Sequence, residues 1–152
     1  MTIVVNTLII LTILYILIQI FYLLMLLITG EEIFETPEEY PTISILVAAR
    51  NEEHNILHCI ESLHALDYPK DKTEIIIGND SSTDRTKEII EAFIKDKPHF
   101  RCVSLLGDEY PSTKGKARVL AVLASLANGK VLLITDADII VNPHWAKGMV
   151  KA

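Results

Sequence analysis

The chain has 152 residues, half of them hydrophobic, and its 14 basic and 20 acidic side chains give a net charge of −6 at pH 7. A protein that binds nucleic acid without sequence preference needs a basic surface to neutralise phosphates, so this acidic balance argues against that class. Two cysteines in otherwise ordinary patterns predict free thiols and a reducing compartment rather than a disulfide framework.

Residues 1–30 carry no charged side chain and are mostly apolar. A helix over residues 3–28 would be roughly 39 Å long, enough to cross a hydrocarbon core of about 30 Å. No basic segment precedes the apolar run and no small-residue cleavage site follows it, which argues against a cleaved signal peptide. We therefore predict a retained transmembrane helix in residues 1–30.

Residues 31–41 are acidic and contain two prolines, which predicts a linker between the membrane helix and a domain of residues 42–152. The flanks of the apolar run contain too few basic residues for the positive-inside rule to orient the helix.

From residue 42 onward, apolar runs typical of buried strands alternate with amphipathic helical patterns. The predicted strands are 42–49, 74–78, 100–105 and 130–135, and the predicted helices are 52–66, 84–94 and 116–126. This β-α-β-α-β-α-β order predicts an α/β fold with a mostly parallel sheet, helices on both faces and right-handed crossovers. Ligands of such sheets bind beyond the carboxyl ends of the strands.

Polar segments follow three of the predicted strands: residues 50–53, 79–84 and 136–138. Turns and helix starts also require polar residues, and Ser82, Thr83 and Asp84 are predicted to be helix caps. Asp80 comes before these caps, just beyond the end of its predicted strand. Its carboxylate could accept hydrogen bonds from a base or a ribose.

Asp136 and Asp138 come directly after the fourth predicted strand. Alternation along an extended chain places both carboxylates on one side, where they could share Mg²⁺ or Mn²⁺ through oxygen ligands. A cation held there would suit a diphosphate. Taken alone, the pattern is equally consistent with a solvated acidic turn.

Four motifs in this order resemble those of the family 2 glycosyltransferases with the GT-A fold, a group that includes membrane synthases of cellulose, chitin, hyaluronan and poly-N-acetylglucosamine. The motifs are Ile45-Leu-Val-Ala-Ala-Arg-Asn-Glu-Glu53, Ile76-Ile-Gly-Asn-Asp-Ser-Ser-Thr-Asp-Arg-Thr86, Gly115-Lys-Ala117 and Asp136-Ala-Asp138. The resemblance extends over residues 42–151. It implies a GT-A domain whose N-terminal, nucleotide-sugar-binding part is residues 42–152.

The resemblance also implies which residues bind the donor and a divalent metal. Asp138 would coordinate the metal directly, and Asp136 would contact the sugar nucleotide or hold the cation through water. Asp80 would contact the uracil or the ribose. The other implied residues would line the nucleotide pocket or, for the lysine, face the diphosphate: Ala48, Arg50, Glu52 and Lys116.

Three positions depart from the family pattern. Asn79 replaces the first aspartate of a paired motif, and Ser81 replaces the glycine that follows the pair. Residues 119–121 lack an asparagine that often follows the third helix start. These departures leave the fold assignment intact and weaken the donor assignment.

The implied activity is transfer of a sugar from a nucleoside diphosphate, expected to be UDP, to a hydroxyl of a polysaccharide, lipid or other acceptor. A divalent metal (Mg²⁺ or Mn²⁺) would assist departure of the diphosphate. In the resembled family the catalytic base and further membrane helices lie downstream, so we expect an N-terminal fragment that is inactive alone, with its base beyond Ala152. The cytosolic supply of sugar nucleotides predicts that the domain lies in the cytoplasm, at the inner or plasma membrane. The resemblance to membrane synthases implies a role in cell-wall polysaccharide synthesis.

Other interpretations rest on weaker patterns. His54 and His58 have the spacing of two zinc ligands on a helix, but the sequence offers no clear third ligand. A dinucleotide-binding domain or a sugar nucleotidyltransferase would need a glycine-rich loop after the first strand, where residues 48–51 contain no glycine. A noncatalytic, membrane-tethered nucleotide-sugar-binding module, or an inactive remnant, remains the alternative to an enzyme.

Overall fold

The computed structural model describes residues 2–29, 39–105 and 115–151 of the chain. It divides into two compact units, Met1–Thr36 and Pro37–Ala152. The first unit contains helix α1 (Thr2–Thr29). Within it, Val4–Met25 has 22 residues with a mean hydropathy of 2.6, so by length and composition it could cross a membrane. Most of the predicted linker, residues 31–38, lies outside the described residues.

The second unit is an α/β domain, as the alternation predicted. Its parallel strands β1 (Ile43–Ala49), β2 (Thr73–Asp80), β3 (Phe100–Leu105) and β4 (Val131–Asp136) form one sheet in the order β3-β2-β1-β4. The helices are α2 (Ile56–His64), α3 (Thr86–Ile94), α4 (Lys116–Leu126) and α5 (Trp145–Lys151). Strands β2 and β3 lie on one side of β1, whereas β4 lies on its other side. The strand order therefore reverses beside β1, and ligands of such sheets bind in the crevice at this position.

Successive residues of β1 and β2 face opposite sides of the sheet, and both sides are buried. Ile45 and Ile77 belong to the core that contains residues of α2 and α3, whereas Leu46 and Ile76 belong to the core formed with α4. Gly78 allows the close approach of α4, because a Cβ there would lie 2.4 Å from Cγ1 of Val119. This packing fixes the first turn of α4 over the ends of β1 and β2.

One face of the edge strand β4 is exposed in the described part of the chain. Leu132 and Ile134 are 44% and 54% exposed, whereas Leu133 is buried. Ile134 pairs with Leu46, so the uncovered residues lie on the α4 side of the sheet. Helices lie on both faces of the sheet, as predicted, and among the described residues none covers this face of the edge strand β4.

Element boundaries also differ from prediction, and two of these differences lie next to the strand ends. Helix α2 begins at Ile56 rather than at residue 52, because the N–H groups of Asn55 and Ile56 both donate to the carbonyl of Glu52 in a preceding turn. Strand β2 continues beyond Gly78 to Asp80, whose polar side chain is buried within the sheet. Asn79 and Asp80, predicted to lie in a polar segment after the strand, thus belong to the strand.

His64 and His99 form a stacked pair at the amino ends of the strands. Their ring centroids are 5.4 Å apart, and Nδ1 of His64 lies 3.4 Å from Nε2 of His99. Burial lowers the pKa of both imidazoles, and the positive charges of Lys70 and Lys97 lower each pKa further. The folded domain therefore disfavours protonation of this pair.

We expect this pair to make the domain less stable in mild acid. The unfolded chain takes up protons as the pH falls through about 6.5, while the folded pKa values lie lower. The contribution of the neutral pair to the free energy of unfolding is therefore fully present above that pH. It is lost as the pH falls toward the pKa values of the folded state. Urea denaturation of the detergent-solubilised chain, followed by Trp145 fluorescence, measures the free energy of unfolding between pH 7.5 and 5. This free energy should decrease as the pH falls, and the decrease should be smaller in the double variant His64→Gln/His99→Gln. An equal decrease in both proteins would contradict this origin.

Candidate functional site

A cavity of about 340 Å³ lies at the carboxyl ends of the strands and contains all seven predicted site residues in its wall. Strand β1 contributes Ala48 and leads into Arg50 and Glu52, β2 contributes Asp80, and β4 contributes Asp136. The wall is completed by Lys116, Val119 and Asp138, together with Ala49, Gly115 and Ala137. The structure thus brings the predicted residues together, and their roles remain predictions.

The two aspartates after β4 flank a residue that points into the core. Ala137 is buried, while Asp136 and Asp138 are exposed at the cavity. Nζ of Lys116 contacts Oδ1 of Asp136, and both side chains are half exposed. In the described part of the chain, Asp138 makes no hydrogen bond or ion pair. One carboxylate is therefore balanced by a lysine and the other faces solvent.

This donor set fits a hard cation shared with a ligand. Among the described residues, no group of three His, Cys, Asp or Glu side chains could hold a metal ion. Two carboxylates can supply part of the oxygen shell of Mg²⁺ or Mn²⁺, and water or phosphate oxygens complete such shells. The zinc alternative loses support, because His54 lies in the turn before α2 with a side chain 90% exposed, and His58 pairs with Glu61.

Cys59 lies beneath the two aspartates as a neutral thiol. Its Sγ donates to the backbone carbonyl of Asp136 at 3.5 Å, and its side chain is buried. Burial first, and then the negative charges of Asp138, Asp136 and Glu52, raise the pKa of Cys59 to about 12. Both cysteines are free, as predicted, and Cys59 supports the site without offering a thiolate ligand.

Asp80 lies at the other end of the cavity as a buried carboxylate. Its Oδ1 accepts a hydrogen bond from Nη2 of Arg118 at 2.7 Å, and Nη1 of Arg50 lies 3.7 Å from its Oδ2. Sequence reasoning missed Arg118. The available signal was its position four residues before Val122, which places a charged side chain on the core-facing side of α4.

Hydrogen bonds join the loop after β1 to the loop after β2. Asn51, with a left-handed φ of 56°, accepts the N–H of Thr83 at 2.8 Å, and its own N–H donates to Oγ of Ser82 at 3.0 Å. Ser82 and Thr83 therefore bind the neighbouring loop rather than capping α3. Asp84 does serve the helix start, because its Oδ1 accepts the N–H of Thr86 at 3.0 Å.

The same loops fix Glu52 at the edge of the cavity. Its N–H donates to Oγ1 of Thr86 at 2.8 Å, and the N–H of Glu53 donates to Oδ2 of Asp84 at 3.1 Å. Since Glu52 and its neighbour Arg50 both line the cavity, these cross-loop bonds set the position of that wall.

Ser81 carries a left-handed φ of 52° at the position where the resembled family has glycine. A non-glycine residue in this region costs roughly 1–2 kcal/mol, and the hydrogen bond from Oγ to the carbonyl of Leu105 at 2.9 Å offsets part of that cost. Ser81→Ala keeps the strain and loses the bond, whereas Ser81→Gly loses both. We expect the alanine variant to be less stable than the glycine variant by about 1 kcal/mol in urea denaturation. Equal stabilities would show that Ser81 is not strained.

The chain is similar to known glycosyltransferases in sequence and in structure. The family model described as Glycosyl transferase family 2 matches residues 44–152. "Probable glycosyltransferase YdaM" of Bacillus subtilis (strain 168) is 37% identical over 105 residues, covering 68% of this chain and 24% of that protein.

Two solved structures share the fold. A mannosyltransferase from Pyrobaculum calidifontis in complex with GDP-Man and Mn²⁺ superimposes with a TM-score of 0.66 and 27% identity, over 76% of this chain and 33% of that one. Staphylococcus aureus TarS 1-349 in complex with UDP-GlcNAc does so with a TM-score of 0.59 and 29% identity, over 71% and 30%. The chain therefore spans about a quarter to a third of the length of these proteins.

Proposed function

This chain belongs to glycosyl transferase family 2, and on that basis we propose that its cavity binds a nucleoside-diphosphate sugar, expected to be a UDP-sugar, for transfer of the sugar to a hydroxyl acceptor. The observation that carries the proposal is the convergence of Asp80, Lys116, Asp136 and Asp138 on one cavity at the strand order reversal. The sugar-nucleotide complexes of the related structures support it.

The sheet geometry supports a donor lying across the strand ends. Asp80 ends β2 and Asp136 ends β4, with β1 between them. Neighbouring strands are about 4.8 Å apart, so the two carboxylates stand on strands separated by about 10 Å. We assign the base or ribose to the Asp80 end and the diphosphate to the end formed by Asp136, Asp138 and Lys116. Ala48, Arg50 and Glu52 line the wall between them.

The diphosphate end combines the two aspartates proposed to hold a cation with the ammonium group of Lys116. A divalent metal, when bound, stabilises the charge that develops on the diphosphate as the sugar leaves. Asp138 would bind it directly, and Asp136 would hold it through water or contact the sugar nucleotide. Once Asp136 serves the cation or the donor, the ammonium group of Lys116 can pair with phosphate oxygens. The amino terminus of α4, which begins at Lys116, also favours an anion there.

Transfer itself needs a base for the acceptor hydroxyl. Among the described residues, the carboxylates in the cavity wall are Glu52, Asp80, Asp136 and Asp138, and the proposal assigns each of them a role with the donor. We therefore propose that this chain binds the donor, and that transfer to a polysaccharide, lipid or other acceptor uses a base other than these four carboxylates. Kinship with membrane polysaccharide synthases is part of this proposal. The second candidate function is a noncatalytic nucleotide-sugar-binding module. It is favoured because every described carboxylate of the cavity wall is assigned to the donor or the metal, and none of them is left to act as the base.

Calorimetric titration of the full chain in detergent tests the proposed function. UDP should bind, and Mn²⁺ should increase its affinity by at least about tenfold, because two carboxylates alone leave most of the cation's oxygen shell to the diphosphate. Glu91→Gln, an exposed change on α3 away from the cavity, should behave like the parent. Failure to bind UDP, or equal affinity with and without Mn²⁺, would contradict the proposal. Turnover of labelled UDP-sugars would show that the chain contains its own base.

We also propose that α1 crosses the inner or plasma membrane and that the domain lies in the cytoplasm, where sugar nucleotides are supplied. The native thiols give a low background for a labelling test, because Cys59 is buried and burial raises the pKa of both cysteines. Ala124→Cys places a thiol on an exposed position of α4. A membrane-impermeant maleimide should label this variant only after the cells are permeabilised. Labelling in intact cells would place the domain outside.

A further inference from the structure

The two oxygens of the Asp80 carboxylate have different surroundings. Arg118 reaches Oδ1 at 2.7 Å from behind the cavity wall, and the Arg118 and Asp80 side chains are 12% and 8% exposed. Arg50 stands 3.7 Å from Oδ2, lines the cavity and is 64% exposed. A buried guanidinium therefore engages one oxygen, while the other lies toward an exposed arginine at the ligand side.

We propose that Arg118 selects the nucleobase of the donor by positioning Asp80, an inference that rests on the proposed function. With Oδ1 engaged, Asp80 presents chiefly Oδ2 to the ligand, and Arg50 supplies N–H donors beside it. Uracil matches this arrangement, because its single N3–H lies between two carbonyl oxygens. The N3–H donates to Oδ2 of Asp80, and a neighbouring carbonyl accepts from Arg50.

Guanine matches the same arrangement poorly. Its N1–H and N2 amino group are adjacent donors, which a carboxylate satisfies best when both oxygens are open to the base. With Oδ1 engaged by Arg118, one of these donors loses its partner, and Arg50 then faces an amino group rather than a carbonyl. Sites that leave a polar group unpaired in the wrong ligand discriminate strongly against it. Arg118 acts in this through Asp80 and is a positioning residue.

Affinities for UDP and GDP at saturating Mn²⁺, measured by calorimetry on the full chain in detergent, test this inference. The parent should prefer UDP by about tenfold or more. In Arg118→Met both oxygens of Asp80 become open to the ligand. The affinity for UDP should therefore decrease, and the ratio of the UDP affinity to the GDP affinity should fall toward one. Arg118→Lys keeps a cationic donor for Oδ1 and should retain most of the preference. A role limited to stability would lower both affinities and leave their ratio unchanged.

A second measurement needs no variant and stands even if Arg118→Met does not fold. N3-methyl-UDP lacks the donor assigned to Oδ2 and should bind the parent about tenfold or more weakly than UDP. Equal binding of UDP and N3-methyl-UDP, equal binding of UDP and GDP by the parent, or an unchanged ratio in a folded Arg118→Met would overturn the inference while leaving the proposed function intact. A parent that binds no nucleotide would contradict the proposed function itself, and the inference with it.

Discussion

Asp138→Asn is expected to remove the Mn²⁺-dependent part of UDP binding. The variant keeps the size of the side chain but replaces one of the two carboxylates at the end of β4 with a neutral amide, a weaker ligand for a hard cation. Loss of a residue that only orients a metal ligand typically lowers metal affinity 10–100-fold, and loss of a ligand itself should lower it at least as much. We therefore expect the affinity for Mn²⁺ to fall about 100-fold. Calorimetric titration of UDP at fixed Mn²⁺ measures this.

Asp80→Asn provides the matched comparison. Asp80 lies on β2 at the opposite end of the cavity. Its substitution should therefore lower the affinity for UDP both with and without Mn²⁺, and Mn²⁺ should still increase that affinity by the same factor. If Asp138→Asn keeps the metal effect while Asp136→Asn loses it, the roles assigned to the two aspartates are exchanged. If neither variant changes the metal effect, the cation does not bind at the end of β4.

Gly129→Ala is expected to cause the largest loss of stability, about 3 kcal/mol. A Cβ at Gly129 would lie 2.4 Å from the backbone N of Ser44 and 2.5 Å from the backbone C of Ile43, in the central strand β1. No side-chain rotation can relieve a clash with backbone, so the segment before β4 must move. That movement also weakens the hydrogen bond from the Gly129 N–H to Oγ of Ser44, which measures 2.8 Å.

Gly148→Ala is the control for this change. A Cβ at Gly148, on helix α5, meets nothing within 4 Å, and alanine exceeds glycine in helix propensity by about 1 kcal/mol. Gly148→Ala should therefore leave the domain as stable as the parent or slightly more stable. Urea denaturation followed by Trp145 fluorescence measures both variants. A Gly129→Ala protein as stable as the parent would mean that the contact between Gly129 and β1 can relax.

The fold could be predicted from the sequence because its strands are continuous apolar runs and its helices are amphipathic. The ends of elements could not, because they depend on tertiary contacts. Asp80 and Asp136 are polar residues that end strands, and the local pattern assigns them to loops. The exposed face of β4 depends on the strand order, which periodicity does not contain.

The candidate site divides in the same way. Motif order indicated the residues that line the cavity, since parallel strands bring their carboxyl ends to one edge of the sheet. The contact between Asp80 and Arg118, and the bonds from Asn51 to Ser82 and Thr83, join segments about 30 or more residues apart. No local pattern predicts such bonds, and they orient the side chains that the motifs identify.

Paramagnetic broadening by Mn²⁺ tests most directly the claim that the cavity binds a metal-assisted nucleotide diphosphate. Amide spectra of the ¹⁵N-labelled full chain in detergent would be recorded with Mn²⁺ alone, UDP alone and both together. With both present, the strongest broadening should fall on residues 135–140 and extend to residues 48–52 and 115–118, and it should be much weaker without UDP. Broadening centred on His64 and His99, at the amino ends of the strands, or broadening that UDP does not change, would contradict the claim.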